Sequence, residues 1–162
     1  MATFRLAQAV DVPALLPLMR DFYEYERLPF DAARSERLLR ELIGDERLGR
    51  VLLFQFPLGN GARQTESHDS REGTLVGYMI LTFGYSLEFG GRDALIDEFY
   101  VVPSARGGGC GTQAIAHAVE ICRSLGITNI HLEADYFNER VHEFYKRLGF
   151  RDHERHLMTL ET

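Results

Sequence analysis

Ile96-Asp97-Glu98-Phe99-Tyr100-Val101-Val102-Pro103-Ser104-Ala105-Arg106-Gly107-Gly108-Gly109-Cys110-Gly111-Thr112 runs from a β-rich segment through a proline into a glycine cluster. An apolar-periodic segment follows, and its spacing predicts a helix beginning near Thr112. Strand, glycine loop and helix start, in that order, make an anion site. Glycines permit positive φ and close approach of backbone to a ligand. The free N–H groups of a helix's first turn and the positive end of its dipole favour a phosphate. A P-loop would need Gly-Lys-Ser/Thr here, and none follows. A dinucleotide fingerprint is closer, since the next strand ends in Glu133 and Asp135. However, Pro103 to Arg106 separate strand from glycines, Thr112 holds the third glycine position, and Asp97 and Glu98 interrupt the strand. The pattern that is met is Arg/Gln-x-x-Gly-x-Gly, at Arg106, Gly109 and Gly111. A glycine-rich connection without a ligand is the bland alternative.

Outward from this stretch, Ala114, Ile115, Ala118, Val119, Cys122 and Leu125 recur at helical spacing and Gly126 stops the helix. Thr128 to Asp135 is predicted as a strand, with His131, Glu133 and Asp135 on one face and Leu132, Ala134 and Tyr136 on the other. Asn138 caps a short helix carrying Val141, Phe144, Tyr145 and Leu148, with Gly149 as its C-cap. The alternating tail from Phe150 to Leu160 reads as a last strand or hairpin.

Upstream, Phe4 to Ala9 reads as a first strand, and Asp11 as the cap of a helix with Pro13 in its first turn. Val12, Leu15, Leu16, Met19, Phe22 and Tyr23 form its apolar face. Asp31 caps a second helix with Leu38, Leu39, Leu42 and Ile43 as the stripe and Arg34, Glu36, Arg37 and Glu41 as the solvated face. Val51 to Phe56 and Leu75 to Phe83 are strands, the latter apolar enough to be central. The polar stretch from Leu58 to Gly73 reads as an exposed loop, and Gly84 to Arg92 as a hairpin connection into the strand from Ala94 to Val102.

The resulting order βααβββαβαβ predicts an α/β fold, a mixed sheet with helices on both faces, as a single domain over residues 1–162. With 45% hydrophobic and 26% charged residues the composition is that of a globular protein. A net charge of -6 argues against a nucleic-acid binder and is compatible with a cationic substrate. There is no signal-peptide pattern and no apolar run of membrane-spanning length, so a cytoplasmic protein without membrane contact is expected. Two cysteines, Cys110 and Cys122, imply no disulfide framework. The histidines, among them His131, His142, His153 and His156, have no accompanying metal-ligand spacing, so no metal is expected.

A second motif, Asn138-x-x-x-x-x-Phe144-Tyr145-x-x-x-Gly149-Phe150, lies downstream of the glycine loop. Together the two motifs closely resemble the GNAT superfamily of acyl-CoA-dependent N-acetyltransferases, and the likeness runs over essentially the whole chain. The most similar branch is that of the spermidine/spermine acetyltransferases, through Tyr25-Glu26, Phe83-Gly84-Tyr85, the consecutive acids Asp97-Glu98, and Asn138-Glu139 with Phe144-Tyr145-Lys146-Arg147. Ser86 to Gly91 and the continuation Gly149-Phe150 depart from that branch, which leaves the substrate the least transferable part.

The resemblance implies acetyl-CoA as co-substrate. Its pyrophosphate would lie on Arg106, Gly107, Gly108, Gly109, Cys110, Gly111 and Thr112, and its pantetheine on the backbone of Phe99, Tyr100 and Val101 and on Asn138, Arg140 and Val141. Tyr145 would protonate the leaving thiolate, although core packing is the alternative for an aromatic at this spacing. A primary amine of pKa near 10.4 is neutral in only about one molecule in 10³ at pH 7, so a carboxylate should help remove its proton. Adjacent strand residues face opposite sides, and Glu98 is the favoured base or anchor, with Asp97, Tyr25, Glu26 and Glu133 as substrate contacts. The alternative for either acid is one merely satisfied by backbone N–H groups or an arginine. The expected activity is acetylation of a small cationic, polyamine-like amine by direct attack in a ternary complex, with a homodimer as the assembly. A protein or peptide amine acetyltransferase, or a non-catalytic acyl-CoA sensor, are the competing readings.

Overall fold

The computed structural model describes residues 1–57, 73–135 and 137–162. The loop expected from Leu58 to Gly73 therefore lies, apart from Gly73, outside the described residues, as does Tyr136. The described elements are β1 (Thr3–Leu6), α1 (Val12–Tyr25), α2 (Ala32–Gly44), β2 (Gly49–Phe56), β3 (Thr74–Ser86), β4 (Gly91–Val101), α3 (Cys110–Ser124), β5 (Asn129–Leu132) and α4 (Glu139–Arg147). Short 3-10 turns precede α1 and α3. The chain forms two compact units, Met1–Leu132 and Glu133–Thr162.

In the first unit the strands form one sheet in the order β1-β2-β3-β4-β5, antiparallel except for the parallel pair β4–β5. The apolar run of β3 sits at the centre, as its composition predicts. α1 and α2 cover one face, where Val12, Leu15, Leu18, Met19 and Leu39 pack on Val51, Leu53, Tyr78, Ile80 and Tyr100. α3 covers the other, for Phe4 touches both Phe54 in β2 and His117 in α3. Adjacent residues along β2, such as Leu53 and Phe54, thus supply two different cores, the period-2 consequence of a sheet buried on both faces.

Local signals set most boundaries. The Asp31 carboxylate accepts the Arg34 N–H at 3.0 Å and starts α2, and the Asn138 side chain accepts the Val141 N–H at 3.2 Å and starts α4. Gly126 and Gly149, at φ +71° and +94°, follow α3 and α4. Asp11 behaves differently from its expected capping role. Its carboxylate makes no bond into α1 but takes the Arg5 guanidinium in a two-pronged pair, both at 2.7 Å, and the Gln8 N–H. An arginine fork is the stronger partner and lies within reach across the turn.

Three expected boundaries also move. The hairpin loop shrinks to residues 87–90, because β3 and β4 keep pairing out to Ser86–Gly91. α3 begins at Cys110 rather than Thr112. β5 ends at Leu132, so Glu133 and Asp135 are not on a strand face with His131. In the second unit α4 is followed by a tail, residues 150–162, without a strand. Alternation states which side chains a strand would turn to each face, but not that another strand offers it an edge.

Candidate functional site

Strand β4 carries the decisive irregularity. Ile80 in β3 faces Glu98, but the next residue, Leu81, faces Ile96. Asp97 is the extra residue of a β-bulge. Directly paired residues share a face of the sheet, so Glu98 joins Ile80 on the α1/α2 side while Ile96 joins Leu81 on the other. The bulge overturns the expectation that Asp97 and Glu98 face opposite sides. Both line one cavity of about 320 Å³ beneath α1 and α2. Its wall is largely apolar, with Met19, Leu38, Leu39, Leu42, Leu48 and Ile80, and its polar groups are Tyr23, Ser35, Glu41, Thr82 and the two acids.

Glu98 is 8% exposed, whereas Asp97 remains open to solvent. The Tyr23 hydroxyl donates to Glu98 Oε1 at 2.9 Å and the Tyr78 hydroxyl to Oε2 at 2.7 Å. Burial pushes the Glu98 carboxyl above its usual range, the two tyrosine hydrogen bonds oppose that, and the neighbouring Asp97 adds to it. Desolvation raises Asp97 as well. Burial, then the Glu98 charge, lifts Tyr23 to about 12 and drives Tyr78 higher still, so both phenols are donors. Neither tyrosine stands out in the sequence beyond an apolar position. The available signal was a hydroxyl-bearing ring where phenylalanine would fill the same stripe.

Among the described residues of the first unit, β4 runs on past its last partner in β5. Its parallel pairing with β5 ends at Ile96–Leu132, and β4 continues to Val101. The Val102 N–H bonds Val76 at 2.9 Å on the β3 side, so alternation turns the amides of Phe99 and Val101 to the opposite edge. Arg106 caps that edge: its Nε donates to the Val101 carbonyl at 2.7 Å. Its guanidinium lies 5.4 Å from the Tyr25 ring centre and 5.7 Å from that of Tyr100. Tyr25, expected on the substrate side, and Arg106, expected on the cofactor side, are thus in contact. Glu26 is exposed at the end of α1 and does not line the cavity.

The glycine loop follows at once. Gly107 and Gly109 both have φ +82°, and Gly109 immediately precedes α3. A Cβ on Gly107 or Gly108 would meet nothing within 4 Å, which leaves the ground above the loop open. Cys110, Gly111 and Thr112 form the first turn of α3, whose amides have no partner within the helix. Open space, positive-φ glycines and first-turn amides fit a pyrophosphate. Cys110 is buried, where packing rather than chemistry accounts for it.

In the second unit, Asn138 is committed to capping α4, and Arg140 and Val141 follow in its first turn. Tyr145 is half-buried between Phe144 and Phe150, with ring centres 5.1 and 5.4 Å away, and burial lifts its phenol to about 12. Glu133 is exposed just past the end of β5. Asp135 is engaged locally, accepting the Phe137 N–H, while its carbonyl pairs with His142. Among the described residues no three His, Cys, Asp or Glu side chains form a metal-holding group, and no helix is long and apolar enough to cross a membrane.

Comparison with known proteins places this geometry. Residues 19–150 match the model of the acetyltransferase (GNAT) family. The chain is 30% identical over 149 residues to thialysine N-epsilon-acetyltransferase of Bos taurus, covering 91% of this chain and 83% of that protein. Among solved structures it is similar to an integron cassette protein from the mobile metagenome of Cole Harbour Salt Marsh, with 32% identity, TM-score 0.76, and coverage of 98% and 89%. It shares its fold with a predicted acetyltransferase of Clostridium acetobutylicum solved with acetyl-CoA, at 18% identity, TM-score 0.73, and coverage of 99% and 96%. The family match spans the bulged strand, the glycine loop and the Asn138 motif together, and the chain belongs to the GNAT family as an acetyl-CoA-dependent N-acetyltransferase.

Proposed function

We propose that the enzyme acetylates the primary amine of a small cationic acceptor, held in the cavity beneath α1 and α2, with Glu98 as the proton acceptor. The observation that carries this reading is the bulge that turns Asp97 and Glu98 onto one cavity. Acids at one place on an otherwise apolar wall suit an amine at the end of an aliphatic body. The Bos taurus relative is named for acetylating thialysine at Nε, an amine of that kind.

In this reading the ammonium enters beside Asp97 and gives its proton to Glu98, directly or through a water. The burial that raises Glu98 brings it closer to the amine in proton affinity, which favours the transfer. Acetyl-CoA supplies the activated acyl carbon. Its pyrophosphate would rest on the amides from Gly107 to Thr112, and its pantetheine on the backbone of Phe99 to Val101. An amide at Phe99 or Val101 would donate to the oxygen on which charge develops. The amine nitrogen forms the new bond to the acyl carbon as the carbon–sulfur bond breaks, and its second proton leaves the nitrogen for the departing thiolate, directly or through a water. Tyr145 is a donor to the departing sulfur. With its phenol near 12 and a free thiol near 8.5, it stabilises the thiolate by hydrogen bonding more than by full transfer.

The test is a panel of polyamines, lysine and thialysine analogues, aminoglycosides, basic peptides and neutral aryl amines, assayed with acetyl-CoA by release of free CoA. Cationic aliphatic amines should give the highest kcat/KM, declining as salt screens the acids. Equal or better kcat/KM for neutral amines, without salt dependence, would remove the acids from the acceptor site. CoA binding without turnover on any amine would favour a sensor.

A further inference from the structure

We infer that Tyr78 and Tyr23 are positioning residues for Glu98, clamping its carboxylate from two different elements and setting the pH range over which it accepts a proton. The inference rests on Glu98 being the proton acceptor, and the experiment below separates the two ideas.

The clamp is specific in geometry. One hydroxyl comes from α1 and one from β3, and each takes a different oxygen, Oε1 for Tyr23 and Oε2 for Tyr78. A carboxylate offers about four acceptor sites, so one bond to each oxygen fixes the plane of the group and leaves both oxygens able to accept again. Tyr78 is 0% exposed and has no freedom to give. Its ring sits 6.4 Å from Phe22 and 6.3 Å from Tyr100, and Tyr23 packs on Phe22 and Phe30 at 5.8 and 5.5 Å. Aromatic packing thus holds both donors, and the donors hold the acid. Phenylalanine at both positions would fill the same space and leave the carboxylate without these partners.

The groups around Glu98 pull in opposite directions. Burial and Asp97, from β4, favour the neutral acid, while the hydroxyls from α1 and β3 favour the carboxylate. From α2, Arg34 acts on Tyr23, and Glu41 lines the same cavity. Tyr100 of β4 bears on Tyr78, and Asp21 of α1 on Tyr100. Removing either hydroxyl therefore shifts Glu98 toward its neutral form, which cannot accept the amine's proton.

The experiment compares Tyr78→Phe, Tyr23→Phe and Glu98→Gln with the wild-type enzyme across pH 5–8, using the best amine of the panel. The ratio of kcat/KM, variant over wild type, cancels the amine's own titration. For Tyr78→Phe that ratio should fall as pH falls, by roughly tenfold between the two ends, since a hydrogen bond to a charged group is worth about one pH unit or more. For Tyr23→Phe the ratio should fall in the same direction but by less, because that side is partly solvated. In parallel, the Glu98 carboxyl carbon, followed by NMR, should titrate at higher pH in Tyr78→Phe. A ratio that is flat with pH, whether at one or at a uniform loss, with an unmoved carboxyl titration, overturns the inference and makes the tyrosines merely structural. If Glu98→Gln keeps wild-type activity, the proton-acceptor reading itself fails. If Glu98→Gln is inactive but the tyrosine ratios are flat, only the clamp fails. Should Tyr78→Phe not fold, Tyr23→Phe decides.

Discussion

Tyr78 and Glu98 meet on a diagonal of the sheet. In the ladder Tyr78 pairs with Tyr100 and Glu98 with Ile80, yet the Tyr78 hydroxyl reaches Glu98 Oε2 at 2.7 Å. Diagonal neighbours on one face lie within reach of an aromatic side chain. The contact exists because the bulge at Asp97 turns Glu98 onto the face that Tyr78 already occupies. Had alternation run on regularly from Ile96 through Asp97, Glu98 would lie on the α3 face with Ile96.

Glu98→Gln should separate activity from stability. Loss of a general base typically lowers the rate by about 10²–10⁴-fold, which steady-state kcat would show. The amide can still accept from Tyr78 and donate to the Tyr23 oxygen, so no buried group is orphaned. Burial raises the folded-state pKa of Glu98, so its contribution to stability is fully present below the unfolded value and declines as pH rises through the folded one. The Tm of Glu98→Gln relative to wild type should therefore increase from pH 4 to pH 7. A relative Tm that falls over that range would show the carboxylate to be a net stabiliser.

Gly111→Val isolates the ligand from the fold at the glycine loop. Gly109, at φ +82°, would be strained by any side chain, so its replacement confounds folding with binding. Gly111 lies in the first turn of α3, where the backbone suits any residue. Valine keeps the backbone N–H, but its branched side chain stands where the backbone must approach the phosphates; lengthening a charge-assisted bond in this way should weaken CoA roughly tenfold or more by calorimetry. Unchanged affinity in a folded variant would sink the pyrophosphate assignment.

Tyr145→Phe keeps the ring contacts with Phe144 and Phe150 and removes only the hydroxyl. Melting should be unchanged. With the phenol near 12, the loss in kcat should sit at the low end of the general-acid range, roughly 10²-fold. A value within about threefold of wild type, with chemistry rate-limiting, would contradict the role.

Asp11→Ala tests the fork with Arg5, whose side chains are 13% and 31% exposed. The Arg5 hydrogen bonds hold the Asp11 carboxyl below its usual range, against the opposing effect of burial. The pair's stabilisation is therefore present above the unfolded value, near pH 3.9, and lost as pH falls through the folded one. Denaturant melts should show a loss of about 1–3 kcal/mol at pH 7, shrinking on acidification. A pH-independent loss would point to packing instead.

Much of the scaffold was legible because its signals are local. Caps at Asp31 and Asn138, the stops at Gly126 and Gly149, and the apolar run of β3 each depend on a few neighbouring residues and a backbone preference. The glycine loop was legible for the same reason, since positive φ and a helix start are properties of the chain itself. Asp11 departs from its expected capping role because Arg5 competes for the carboxylate across a turn.

What only the tertiary structure decided is the direction of the acids and what meets them. A period of two assigns faces along a regular strand, but a bulge is a relation between two strands and leaves no mark in either alone. Glu98 and Asp97 share a cavity for that reason; Tyr23, Ser35 and Thr82 line it with them, and Tyr78 meets Glu98 from behind, all from positions that read as ordinary helix and strand residues. Arg106 over Tyr25 is a contact of the same kind. Local sequence determines which conformation a segment prefers, whereas distance between segments is set only when their buried faces pack.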